Sequence, residues 1–138
     1  MVNPNLHAKY PILFGITGAG GHAIVCDGYG YQAATMYHHL NMGWAGSYDA
    51  WYNLPNIDAG PYNFNSVYKC VYNVYVSGSG EIIAGRVTAG GSPISGATVT
   101  ATRTGGGSYN TTTNAKGIYA VVKVPSASSY SVSVTKSG

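Results

Sequence analysis

The chain has 138 residues, enough for one domain or two small ones. Only 8% of them are charged, against roughly 25% in an average soluble protein. The net charge of +3 comes from seven scattered Lys and Arg with no basic cluster, which argues against a nucleic-acid binder. Thirteen Tyr and twenty Gly, with many Ser, Thr and Asn, suit an extracellular or cell-surface β protein. No run approaches the roughly 20 apolar residues of a membrane span. Residues 1–10 (MVNPNLHAKY) lack the apolar core of a signal peptide, so a secretion signal is expected outside the chain.

Residues 11–17 (PILFGIT) and 22–27 (HAIVCD) are short apolar runs bounded by glycines, which fits buried strands better than helices. Residues 35–41 (TMYHHLN) and 49–54 (DAWYNL) read as two more strands, joined by a turn over 42–48, and 55–63 reads as loop. Residues 66–76 (SVYKCVYNVYV) alternate. Tyr68, Cys70, Tyr72, Val74 and Val76 fall on one face, as expected for an antiparallel strand more buried on one side. No helix is expected anywhere. The first module is read as 1–77 and the second as 78–138, divided at the flexible stretch 77–80 (SGSG).

Beyond it aromatics thin out and Val/Thr/Ser alternation takes over. Five strands are expected, at 81–88, 97–104, 108–113, 118–124 and 130–136, with Gly, Pro or Asn in the turns. That spacing predicts a β-sandwich. IAGRVTAGGSPISGATVTATRTG, then TTTNAKGIYAVVKV and YSVSVTKSG, resemble the carboxypeptidase regulatory-like, prealbumin-like domains. The resemblance implies further strands after Gly138, so an open sheet edge is expected there.

The candidate chemistry lies between Gly20 and Gly46. His22 opens the second strand beside Gly21, whose missing side chain lets a substrate or nucleophile loop come close. Asn41 ends the third strand, where its amide oxygen is expected to accept a proton from the His22 ring and fix its tautomer, as in Cys-His-Asn hydrolases. Trp44, in the turn that follows, is placed to shield that bond from water.

GGHAIVCDGYG followed by YHHLNMGWAGSYDAWYNL resembles the C-terminal half of the streptopain family of papain-like cysteine peptidases. The match makes His22 the catalytic histidine and Asn41 its orienting amide. Gly43 and Trp44 fall on the second Gly-Trp of the family's Asn-Trp-Gly-Trp-Gly-Gly turn. Met42 stands where the family has its first tryptophan, which is expected to weaken the aromatic cover, and Ala45 replaces a glycine, a mild change. The family's nucleophilic cysteine sits upstream on a helix in the other half of the fold.

Neither cysteine fills that role. Cys26 is four residues beyond His22, about 13 Å away along a strand, and Cys70 lies mid-strand with no helix N-terminus to lower its pKa. Metal binding is not expected, because His38 and His39 point to opposite faces and no set of side chains has zinc-ligand spacing. Asp27 is placed on the face opposite His22. The aromatic cluster of Tyr29, Tyr31, Tyr37, Trp44, Trp51 and Tyr52 is read mainly as core, with a carbohydrate- or peptide-stacking platform as the alternative.

The sequence therefore describes an all-β chain: the antiparallel sheet half of a papain-like α+β peptidase, then a prealbumin-like sandwich. Expected is a fragment of a secreted cysteine endopeptidase, inert alone, needing no cofactor. Its partners would be the Cys-bearing half and a protein or peptide substrate. A chain incomplete at both ends is also expected to self-associate. The alternative is a non-catalytic extracellular binding or structural protein built on a degenerate peptidase sheet.

Overall fold

The computed structural model describes residues 2–137 and is mostly β. The backbone divides into two compact units, residues 1–74 and 75–138. No helix among the described residues is long and apolar enough to cross a membrane.

The first unit holds one six-stranded antiparallel sheet: β1 (Ile12–Gly18), β2 (Gly21–Gln32), β3 (Thr35–Asn41), β4 (Ala50–Tyr52), β5 (Ile57–Ala59) and β6 (Tyr62–Val71). Its order is β4-β3-β2-β1-β6-β5. One face is the core, built from Ile12, Phe14 and Ile16 of β1, Ile24 and Cys26 of β2, and Leu40 of β3. Each fully buried aliphatic among them contributes on the order of 2 kcal/mol. Phe64 and β1 approach so closely that a Cβ on Gly18 would sit 2.4 Å from the Asn63 carbonyl oxygen, so only glycine fits there.

Four features depart from the sequence expectation. First, β2 runs on through Gly28 and Gly30 to Gln32, because a bulge between Cys26 and Gly28 absorbs an extra residue and lets pairing with β3 continue. Second, the 55–63 stretch contains β5 and the start of β6. Third, the alternation of 66–76 is broken by a second bulge at Tyr68: Val67 pairs with Ile16 on the core face, while Lys69 pairs with Gly15 on the other. The strand ends at Val71, since Asn73 takes a positive φ of 56° and donates its N–H to Asn5 Oδ1 at 2.7 Å.

The fourth is a helix, α1 (Val2–His7). Six residues are too few to be helical alone, and one i, i+4 apolar pair, Val2 and Leu6, leaves little periodicity to read. Docking on the sheet stabilises it: Val2 and Leu6 pack against the core, and Asn5 is buried. Two histidines complete the dock. His7 Nε2 bonds the Tyr29 hydroxyl, and His38 Nε2 of β3 bonds Asn3 Oδ1 at 3.2 Å. The Nδ1 atoms of both rings are buried without a hydrogen-bond partner.

In the second unit the five expected strands appear as β7 (Glu81–Arg86), β10 (Thr98–Arg103), β11 (Ser108–Thr112), β12 (Ile118–Val124) and β13 (Tyr130–Thr135). They form a three-stranded sheet, β11-β10-β13, and a two-stranded one, β12-β7. Ala101, Val121 and Val124 are buried as its core. Between β7 and β10 a small hairpin pairs β8 (Thr88–Ala89) with β9 (Ser92–Pro93) across Gly90 and Gly91, both at positive φ, as a two-residue turn requires. Asn114 organises the β11–β12 turn by accepting the Lys116 and Ile118 N–H groups at 2.9 and 3.0 Å.

Burial lowers the pKa of both His7 and His38 from the ordinary 6.5. A depressed folded-state pKa means that the unfolded chain binds protons first, so stability is full above about pH 6.5 and is lost as pH falls. Among the described residues no charged side chain bonds either ring; the hydrogen-bonding neighbours are Tyr29 and Asn3, and Tyr52 pairs opposite His38 in the sheet. Denaturant midpoints are expected to drop between about pH 7 and pH 5. Replacing His7 and His38 together with Gln should flatten that dependence.

Candidate active site

His22 sits near the start of β2, opposite Ile16 of β1 and in line with the core residues Ile24 and Cys26. Its ring is half-buried. Trp44 stacks on it, with centroids 4.8 Å apart and planes at 22°, and Phe64 follows at 6.1 Å and 26°. A Cβ on Gly21 would meet nothing within 4 Å, so the backbone beside the ring is open, as expected.

Asn41 does not meet His22. It pairs with Val25, three residues along β2 from His22, so alternation puts the two side chains on opposite faces of the sheet. The ring is oriented instead by the main chain: His22 Nε2 donates to the Met42 carbonyl oxygen at 2.8 Å. A carbonyl only accepts, so the proton belongs on Nε2 and the neutral ring presents its lone pair at Nδ1.

Asn41 acts one bond further away. Its Oδ1 accepts the Gly43 N–H at 2.9 Å. The Met42–Gly43 peptide group therefore receives the His22 proton at its oxygen and donates its own to Asn41. Hydrogen bonds in series through one peptide group polarise each other, by about 10–30% per bond. Asp49 fixes the preceding peptide by accepting the Met42 N–H at 2.7 Å. Asp49 escaped the sequence reading; the only signal was a carboxylate closing a glycine-framed turn.

The expected weakening at Met42 does not follow. Its side chain is completely buried in the core, and its carbonyl does the orienting. Any residue supplies a carbonyl, so losing tryptophan there leaves the bond intact. The aromatic cover comes from Trp44, backed by Tyr62 at 5.4 Å and Tyr48 at 6.2 Å. Gly43 stands at φ 74° in this turn, with open space where a Cβ would be.

No thiol among the described residues can serve His22. Cys26 is fully buried, and burial pushes its thiol up to about 12, with the Gly28 carbonyl 3.7 Å from the sulfur. Cys70 pairs with Phe14 while His22 pairs with Ile16, so β1 separates the two by about 10 Å. Neither cysteine is in a disulfide. Asp27 lies across from His22 and holds His39 Nδ1 at 2.6 Å. No group of three or more metal-ligating side chains exists among the described residues.

A half-buried histidine with its tautomer fixed by a carbonyl and an indole over its face has the geometry that a general base requires. Two family models match the chain. Residues 1–52 match the model of the Peptidase C10 family, the streptopain family, and residues 82–138 match that of the carboxypeptidase regulatory-like domain. No curated protein and no solved structure matches the chain. Together the two matches fit a peptidase fragment with an accessory β-domain.

Ala45 takes φ 54°, so the replaced glycine is less mild a change than its size suggests. A left-handed residue with a Cβ costs about 1–2 kcal/mol, offset in part by the greater unfolded-state entropy of glycine. Ala45→Gly is expected to raise stability by up to about 1 kcal/mol in denaturant titration.

Proposed function

We propose that the first unit is the histidine-bearing half of a cysteine endopeptidase site, completed by a Cys-bearing half from elsewhere in the parent protein. The observation that carries this reading is the Nε2 bond from His22 to the Met42 carbonyl, which leaves Nδ1 to face an incoming thiol. Nδ1 would take the thiol proton, and the thiolate would add to the scissile carbonyl. His22 would then protonate the leaving amine from Nδ1, while the Met42 carbonyl holds the imidazolium through Nε2–H. In the second half-reaction His22 would draw a proton from water, and the hydroxide equivalent would release the acyl group.

The low charge and tyrosine-rich composition support an extracellular parent. The sandwich would serve as an accessory module without chemistry of its own. Its edge strand β13 exposes Val132 and Val134, at 44% and 45%, which supports self-association of the isolated chain by strand pairing. Light scattering is expected to give a mass above 14.3 kDa, reduced towards the monomer by Val132→Lys with Val134→Lys. A strictly monomeric chain refutes that association.

Alone, the chain is expected to cleave nothing. Mixed with the Cys-bearing half, it should cleave an unstructured protein, and His22→Ala should abolish this. Asn41→Ala should slow turnover only about twofold to tenfold, since it removes one hydrogen bond from an exposed N–H worth about 0.5–1.5 kcal/mol. Cleavage that survives His22→Ala would refute the assignment. A reconstituted but inactive pair would favour a binding protein that keeps the peptidase sheet as scaffold.

A further inference from the structure

On the face of the sheet away from His22 an open cleft of about 440 Å³ lies between Gly30, Tyr31, Gln32, Tyr37 and Trp51. Trp51 projects from β4, opposite His39 of β3. Its indole reaches back across the sheet to β2, where a Cβ on Gly28 would stand 3.4 Å from the ring and one on Gly30 3.5 Å. The two glycines are thus a floor, and any longer side chain there would lift the indole. His39 meets the ring edge-on at 5.3 Å and 61°, and Asp27 holds His39 in turn. The indole is fixed in place, yet the residue is 54% exposed. A large apolar ring held rigidly in water is a feature that a ligand would cover.

The lining narrows the ligand's chemistry. Its polar side-chain groups are the amide of Gln32 and the phenol of Tyr37, both neutral hydrogen-bonding groups, while the Tyr31 ring alternates to the other face and meets Tyr29 edge-on at 6.2 Å. No cation lines the cleft to hold an anion, and the nearby carboxylate, Asp27, is taken by His39. A peptide strand would need free backbone partners or successive pockets. The floor offers neither, because Gly28 and Gly30 are already paired with His39 and Tyr37 in the sheet. A ring with one apolar C–H face and a rim of hydroxyls satisfies every group present. We infer that this cleft binds a neutral pyranose of a glycan chain, stacked on Trp51 and hydrogen-bonded by Gln32 and a tyrosine hydroxyl. The site is independent of the peptidase reading, since it shares no residue with the His22 site.

Isothermal titration of the full chain with a linear β-glucan oligosaccharide and with a chitin oligosaccharide tests this. Saturable binding to one of them is expected, with a dissociation constant on the order of a millimolar for a single stacked ring in an open cleft. Trp51→Ala should weaken it about tenfold or more, Trp51→Phe should restore most of the loss, and Gln32→Ala should weaken it severalfold. Far-ultraviolet circular dichroism of each variant confirms the fold, and His22→Ala should bind as the unaltered chain does. No saturable binding to either sugar overturns the proposal. So does binding that Trp51→Ala leaves unchanged, or binding of a polyproline peptide that competes at Trp51.

Discussion

The Met42–Gly43 peptide group is the joint on which the candidate site depends. Its oxygen holds His22 and its N–H is held by Asn41, so one planar unit transmits the position of the strand end to the imidazole. A peptide plane is stiffer than a side-chain amide, which would have to be fixed about two rotatable bonds. The turn must then be held instead, and the sequence supplies the means. Asn41 and Asp49 bind consecutive N–H groups, Ser47 N–H bonds the Trp44 carbonyl at 3.0 Å, and glycines occupy φ 74° and 87°. The same turn brings Trp44 over the ring. Orientation and shielding are therefore two consequences of one loop conformation.

Much of this was legible in the sequence, because the relevant signals are local. The run 11–17 gave β1 to within a residue, the run 35–41 gave β3, and the turn chemistry of the second unit gave its five main strands. His22 and Trp44 were brought together as expected. The partnership of His22 with Asn41 was legible only as proximity. Its direction depends on the parity of β2 against β3, and that parity follows from which residues pair, a tertiary fact. Val25 opposite Asn41 decides the matter, and nothing in either strand alone announces it.

Bulges explain most of the other differences. An extra residue at Asp27–Gly28 keeps β2 paired past two glycines that otherwise read as a stop. Another, at Tyr68, exchanges the faces of β6 midway, so a clean alternation in sequence does not become one buried face. Helix α1 was invisible for a different reason. Its stability comes from docking, through Asn5, His7 and His38, and six residues carry no period to detect.

The bulge in β2 also separates two chemistries along one strand. Before it, alternation sends His22, Ile24 and Cys26 to the core face. Within it, Asp27 and Gly28 lie together on the other face, where Asp27 holds His39 and Gly28 supports Trp51. Without the extra residue the strand would continue its parity from Cys26, and Gly28 would fall on the core face. Gly30 would follow it, Asp27 would stand opposite His39 and Tyr29 opposite Tyr37, so the indole would lose both glycines of its floor. The single inserted residue is thus what lets β2 place half-buried His22 on one face and support the exposed Trp51 indole on the other.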